Sequence, residues 1–356
     1  MYISGETIDD ILFKLYPKII KSKSFVEATK GRNREVTGVL LKLKNPRARL
    51  SRTEERQILY SGLGETLWYF SGRNDLEFIE NYIPRYRERA GFSKRAKTVR
   101  SAYGARLFGS KGQVENMIKL LRCKPSTRQA VIQIFDKTDL SKTIKRLDKR
   151  KNEQRKKIVD VPCTCTMQFL CRSNRLDMIV SMRSNDAYIG LPHDIFAFTF
   201  IQEYVAKCLG MKLGEYYHFV GSLHIYESDI PKAEIYINEE GSLEKQKKIA
   251  IPTMPAMPNG DPRESMKWLL ENEEKIRLGE TVLEQNSGIS PYWQDIALIL
   301  LIKKLKGKLK KIPEKRDMRI LISAKQKLST DFYEKYIRKR ENREKNLFNS
   351  FIFPEK

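Results

Sequence analysis

The sequence predicts a mixed α+β chain followed by a basic, mainly helical extension. Strand-like runs occur at residues 38–43, 130–135, 163–171, 176–182 and 216–225, interleaved with segments of helical apolar spacing. Composition then shifts at residues 251–262, where Pro252, Pro255, Pro258, Gly260 and Pro262 interrupt any regular structure. This shift predicts a catalytic domain over residues 1–262 and an extension over 263–356.

The elements follow in chain order. Thr7 precedes Ile8, Ile11, Leu12 and Leu15, which is an N-cap before an amphipathic helix running to about Lys21, bent or shortened at Pro17. An apolar helix over 57–71 carries Glu65 beside Trp68, and a further helix at 114–121 ends before the turn Lys124-Pro125-Ser126. Residues 130–135 read as a buried strand, and a basic insertion at 141–157 separates it from the strands at 163–171 and 176–182. A long helix over 195–209 stops at Gly210, and strands resume at 216–225 and 234–237. Beyond the proline-rich stretch, helices are predicted at 264–278, 292–309 and 331–345, with Trp293, Ile296, Leu300 and Leu301 on a packing face.

Composition excludes several classes. With 356 residues and 40% hydrophobic content the chain can bury a sizeable core. The first ten residues hold acidic side chains and no apolar run, and the longest apolar stretch, 296–302, is too short to span a bilayer, so a cytoplasmic protein with no membrane association is expected. Five cysteines, odd in number, argue for reduced thiols. The spacing of Cys163 and Cys165 finds no second pair to complete a zinc site, so no metal is expected. The net charge of +24 gathers at 141–157 and in the lysine-rich run 303–311, and neither has the interleaved aromatics of a base-stacking surface. Solvated faces account for both runs more simply than a nucleic-acid site.

Between Val161 and Tyr226 the chain presents Pro162-Cys163, Gln168, Arg183-Ser184-Asn185-Asp186, Gly190-Leu191-Pro192-His193-Asp194 and His224-Ile225-Tyr226 in order. This series resembles the catalytic half of thymidylate synthases, and specifically the family's cytidylate hydroxymethylase branch. The resemblance implies the thymidylate synthase fold, a large mixed sheet with flanking helices, and a homodimer. It implies Cys163 as nucleophile toward C6 of a pyrimidine nucleoside monophosphate, with 5,10-methylenetetrahydrofolate as the one-carbon donor. Arg183, Ser184, Arg34 and Arg128 match phosphate-binding positions, Arg128 being the first of two adjacent arginines that the family donates across its dimer interface; the second is Gln129 here. Arg32 is close enough to Arg34 to compete for that role. Gln168 and Asp186 fall at nucleotide-binding positions, His224 and Tyr226 at the sugar 3′-hydroxyl, Glu65 and Tyr103 at proton-transfer positions, and Tyr86 and Gly190 beside the folate. Cys163 and Cys165, two apart on one predicted strand, share a face, so the choice of Cys163 rests on the resemblance. Arg183 is the cation expected to favour its thiolate.

Asp194 stands where thymidylate synthases carry Asn. A carboxamide satisfies uracil's O4 and N3–H, whereas cytosine needs an acceptor for its amino group and a donor for N3, which a protonated carboxyl supplies. The residues alone allow a second reading, in which Asp194 caps the helix predicted to begin at Ile195. Other departures bear on the outcome of the reaction. Thr164 follows the nucleophile where the family has His, Ser222 replaces an Asp, and residues 82–86 lack the Trp that shields the methylating site from water. Together they imply hydroxymethylation of CMP or dCMP. The alternatives are a C5-methylating synthase acting on dUMP or dCMP, and an inactive member binding nucleotides or nucleic acid.

Overall fold

The computed structural model describes residues 1–28, 31–53, 58–89, 97–110, 112–148, 161–245, 252–283 and 288–343. Part of the basic insertion (149–157), Gln57, Ile251 and the end of the last predicted helix (344–345) lie outside them. The chain divides into two units, Met1–Thr253 and Met254–Lys356.

The first unit is built on one seven-stranded sheet. Its strands are β1 (Tyr2–Gly5), β2 (Phe25–Ala28), β3 (Gly31–Leu43), β4 (Val131–Gln133), β5 (Thr164–Arg172), β6 (Arg175–Asp186) and β7 (Lys212–Tyr226), in the order β1-β3-β7-β6-β5-β4 with β2 paired to β3. The pairs β1–β3 and β6–β7 are parallel and the rest antiparallel, which is a mixed sheet. Helices α1 (Ile8–Ile20), α2 (Leu59–Phe70), α3 (Leu76–Tyr82), α4 (Tyr86–Arg89), α5 (Tyr103–Leu107), α6 (Gln113–Cys123), α7 (Lys137–Asp148), α8 (Gly190–Cys208) and α9 (Ile230–Lys245) flank it.

Local chemistry explains the main elements. The Thr7 side chain accepts from the Asp10 amide while Asp10 reaches back to the Thr7 amide, a capping box that stabilises α1 by about 1 kcal/mol. Pro17 sits within α1 without ending it. Nearly all of α8 is buried, because it packs on β6 and β7 on one side and α2 on another, so it is apolar around most of its circumference. Gly64 lets α2 and α3 approach closely, since a Cβ there would lie 2.0 Å from the Tyr82 ring.

Three expectations are corrected. Residues 234–237, read as a strand, lie inside α9; Ala233, Tyr236 and Glu240 are buried there, and their spacing of three and four is helical, a pattern that the consecutive β-prone Ile235, Tyr236 and Ile237 conceal. The run 130–135 yields only the short strand β4, with Ile132 inward and Val131 and Gln133 outward, so it is not buried on both faces. Helix α8 begins at Gly190, not Ile195, which places Asp194 inside the helix and removes its reading as an N-cap.

The second unit comprises α10 (Arg263–Leu278), α11 (Pro291–Leu309), α12 (Lys315–Gln326) and α13 (Glu334–Arg343), with α11 packed on α10 and α12. Asp295 accepts from the amide and hydroxyl of Ser329 at 2.8 and 2.6 Å, tying α11 to the segment after α12. The lysine run is partly structural. Lys304 donates to the Arg277 carbonyl, Lys306 is buried against the Ile337 carbonyl, and Lys308 pairs with Glu314 and Asp317. No helix among the described residues is long and apolar enough to cross a membrane.

Candidate active site

The thiol of Cys163 lies just before β5, where the backbone of Arg183 on β6 donates to the Cys163 carbonyl at 2.8 Å. The Arg183 guanidinium turns back over the same loop. Its Nε donates to the Pro162 carbonyl at 2.9 Å, and Nη2 lies 3.1 Å from the Val161 carbonyl and 3.7 Å from Cys163 Sγ. A guanidinium at this distance favours a thiolate over a thiol. Between Thr164 and Thr166 the register with β6 shifts at a β-bulge, so strict alternation fails and Cys163 and Cys165 are not related as simple same-face neighbours. The Arg183 contact goes to Cys163, which geometry therefore distinguishes from Cys165.

Around this loop stand three groups predicted from the sequence. The Tyr103 hydroxyl accepts from the Thr164 amide at 3.1 Å; burial pushes its ionisation well up, with Cys163 and Asp194 adding to the rise. Glu65 is 9% exposed, accepts from the Tyr69 hydroxyl at 2.9 Å through Oε1, and leaves Oε2 with no donor among the described residues. Burial raises its pKa to about 7 against a weaker lowering by Tyr69. Asp194 accepts from Asn185 Nδ2 at 3.0 Å, and burial, with Glu65 adding to it, holds its carboxyl well above the usual carboxylate range. Burial thus pushes Asp194 toward its neutral form, in which one carboxyl oxygen donates and the other accepts. Gly190 is required by the same cluster, because a Cβ there would come within 2.9 Å of Asn185 Oδ1 and 3.7 Å of Asp194 Oδ2.

His224 and Tyr226 project from one face of β7 with ring centroids 5.1 Å apart. Burial pushes Tyr226 to about 12, and Asp186 and Cys163 contribute, which places that phenol in the electrostatic field of the thiol. Asp186 accepts from the Tyr188 and Ile189 amides at 2.9 and 3.1 Å, shaping the turn into α8. Ser184 pairs with Ser222 across β6 and β7, and Ser222 donates to Glu35. Tyr86 is half-buried with its ring edge-on to Trp68 at 5.9 Å.

Arg34, its competitor Arg32, Arg128 and Gln168 engage other parts of the fold. The Arg34 guanidinium donates to the Ile20 carbonyl and lies over Phe25, and Arg32 covers the same ring while pairing with Glu27 and Glu227. Arg128 is exposed on the loop before β4, and Gln168 donates to its carbonyl at 2.9 Å. Sequence reasoning missed Tyr69 and Asn185. The first stands one helical turn after Glu65, a spacing that brings side chains together; the second lies inside a motif whose flanking residues carry the recognisable roles.

The Glu65 carboxyl makes stability depend on pH. Its folded pKa is raised above the ordinary 4.5, so the stabilisation of its neutral form is complete below that value and is lost as pH rises through about 7. Glu65→Gln should therefore lessen the fall in unfolding free energy between pH 5 and pH 8 by on the order of 2 kcal/mol, as measured by urea denaturation of both proteins. An unchanged pH dependence would mean Glu65 is ionised in the folded protein.

Fold and site together gather a thiol with its guanidinium, two buried carboxyls and a buried phenol on a mixed sheet, an arrangement suited to nucleophilic addition followed by proton transfer. The family model for thymidylate synthase matches residues 27–258, and the chain belongs to that family. Similar proteins include the deoxyuridylate hydroxymethyltransferase of Bacillus phage SP01, 28% identical over 64% of this chain and 59% of its own length. The deoxyuridylate hydroxymethyltransferase of Pseudomonas phage M6 is 30% identical over 48% of this chain and 45% of its own. The thymidylate synthase of Mycoplasma pneumoniae is 23% identical over 48% and 54%. The chain thus spans about half the length of the curated relatives it matches.

Proposed function

We propose that this chain is a one-carbon transferase that hydroxymethylates C5 of a cytidylate, CMP or dCMP, with 5,10-methylenetetrahydrofolate as co-substrate. The observation that carries the reading is the enclosed Asp194 carboxyl, which burial pushes toward its neutral form; that form offers the donor and acceptor that N3 and the 4-amino group of cytosine require. Cys163 adds to C6, making C5 nucleophilic; the folate supplies a one-carbon unit at the oxidation level of formaldehyde. C5 then loses its proton through the groups around Glu65 and Tyr103. As that proton is lost tetrahydrofolate departs unoxidised, leaving an exocyclic methylene on C5; water adds to this carbon and the thiolate leaves C6. Arg183 and Ser184, with Arg128 from a second copy in a homodimer, hold the phosphate, as does Arg34 after releasing the Ile20 carbonyl. Gln168, Asp186, His224 and Tyr226 position the nucleotide. Tyr86, a half-buried ring beside Trp68, fits a face for the folate pterin next to Gly190. The absence of Trp from residues 82–86 supports water, not hydride, as the final reactant.

The names of the two phage relatives favour a second reading, deoxyuridylate as the substrate of the same chemistry. Mass spectrometry of CMP, dCMP and dUMP, each incubated with the protein and methylenetetrahydrofolate, separates them. The expected result is a hydroxymethyl product, a gain of CH₂O, on a cytidylate. A product on dUMP alone overturns the base assignment, a methyl product overturns the water step, and no product with any nucleotide supports an inactive binding protein.

A further inference from the structure

A neutral carboxyl at position 194 does not by itself choose a base. With its proton on one oxygen it presents a cytosine-reading edge, and with the proton on the other it presents the same edge reversed, which reads uracil as a carboxamide does. Discrimination therefore needs something that confines the proton. Asn185 Nδ2 lies 3.0 Å from Asp194 Oδ2, and a donor there makes Oδ2 the acceptor and leaves the proton on Oδ1. The Asn185 amide could deliver its oxygen to the same place by a half-turn, so it too must be held.

What holds it comes from β7. Asn185 Nδ2 also lies 3.2 Å from His218 Nε2, with the Met182 sulfur at 2.9 Å, while Asn185 Oδ1 is buried and meets no donor among the described residues. Three acceptors thus share two amide hydrogens, and the carboxyl oxygen and the imidazole nitrogen are stronger acceptors than the thioether sulfur. The His218 ring is 0% exposed, and burial drives its pKa down to about 3, so it is neutral and carries a single proton. If Nε2 accepts from Asn185, that proton is on Nδ1, where the Tyr216 oxygen stands at 2.7 Å to receive it. Tyr216, His218, Asn185 and Asp194 form one chain of hydrogen bonds with two self-consistent settings. In the observed setting donation runs outward from Asn185 to both neighbours. In the reverse setting the Tyr216 hydroxyl donates to Nδ1, Nε2–H donates to the Asn185 oxygen, and Asp194 Oδ2 carries the proton.

We infer that Tyr216 and His218 are positioning residues for pyrimidine selection: the histidine tautomer orients the Asn185 amide, which fixes the accepting oxygen of Asp194 and so the base that the site reads. The inference rests on Asp194 as the base-reading group. Neither Tyr216 nor His218 need touch the substrate; both act through Asn185.

The test compares full-length wild type with His218→Phe, His218→Gln and Tyr216→Phe. For each, kcat/KM with dCMP and with dUMP is measured in the presence of methylenetetrahydrofolate, and the dissociation constants of both nucleotides are measured by calorimetry without it. His218→Phe frees the Asn185 amide and should shrink the wild-type preference between the two nucleotides about tenfold, the size expected for one mispaired buried polar group. His218→Gln can accept from Asn185 and should restore most of the preference. An equal loss for both nucleotides, with the ratio unchanged, would make His218 a packing residue and overturn the proposal. If His218→Phe does not fold, Tyr216→Phe, which removes one hydroxyl, is judged by the same ratio. A wild type that prefers dUMP overturns the cytidylate reading, while the shift of the ratio in the variants still decides the role of the histidine. The ratio of calorimetric dissociation constants makes the same distinction without turnover.

Discussion

Cys163→Ser should reduce turnover by on the order of 10⁴-fold or more while leaving nucleotide affinity within a few-fold. The reason is local. At neutral pH a serine hydroxyl is almost entirely un-ionised and a weak nucleophile, so the Arg183 guanidinium 3.7 Å from the sulfur no longer has an anion to favour. The nucleotide contacts expected of Arg183, His224 and Tyr226 do not depend on sulfur. Product formation and equilibrium binding of the nucleotide, measured on the same preparation, separate the two effects. Full turnover in the serine variant would remove Cys163 as nucleophile and direct attention to Cys165, on the bulge beside it.

Asp194→Asn should invert the base preference. With uracil bound, the new amide nitrogen takes the place of Oδ2 and donates to O4 and to the turned Asn185 oxygen, the reverse setting of the Tyr216–His218–Asn185 chain, while the amide oxygen accepts from N3–H; cytosine then meets a donor opposite its own amino group. Mispaired buried polar groups of this kind change specificity by roughly 10² to 10⁴-fold, so kcat/KM for cytidylate should fall by about that range as uridylate becomes a substrate. The ratio of rates with the two nucleotides is the measurement, and an unchanged ratio would show that position 194 does not read the base. The pH profile offers an independent sign. The neutral carboxyl of Asp194 ionises as pH rises, and an asparagine has nothing to ionise, so alkaline loss of activity attributable to this group should disappear in the variant.

Much of the fold and site is legible in the sequence, for identifiable reasons. The strands on either side of Arg183 carry apolar residues at period two, and the capping box at Thr7 is a local code that tertiary packing does not override. The pairing of Cys163 with Arg183 follows from the family's motif order, and the contact is made across β5 and β6. Other features are concealed. Sequence pattern puts the start of α8 five residues late because Gly190 and Pro192 read as breakers, although Pro is tolerated in a helix's first turn and Gly190 is demanded by the crowding of Asn185 and Asp194. The chain of bonds from Tyr216 to Asp194 joins three elements, β7, β6 and α8, and no spacing along the sequence announces it. Helix α12 buries Asp317, Leu321 and Ala324 at helical spacing, but Ile320 and Ile322 on either side of Leu321 make a short continuous apolar run that blurs the period.

The bulge at the start of β5 has a consequence for how this site can change over time. In a regular strand, parity decides which side of a sheet each side chain meets, and an extra residue reverses that parity for everything before it. Here the burial sequence from Thr164 to Met167 runs in, half, half, in, so Thr164 and Met167 share the interior although three positions separate them. A chain shortened by one residue within this step would keep β5, β6 and their pairing beyond it, yet it would turn the preceding cysteine toward the opposite side. Length between Pro162 and Met167 is therefore constrained together with the identity of Cys163, because a deletion would separate the sulfur from its arginine.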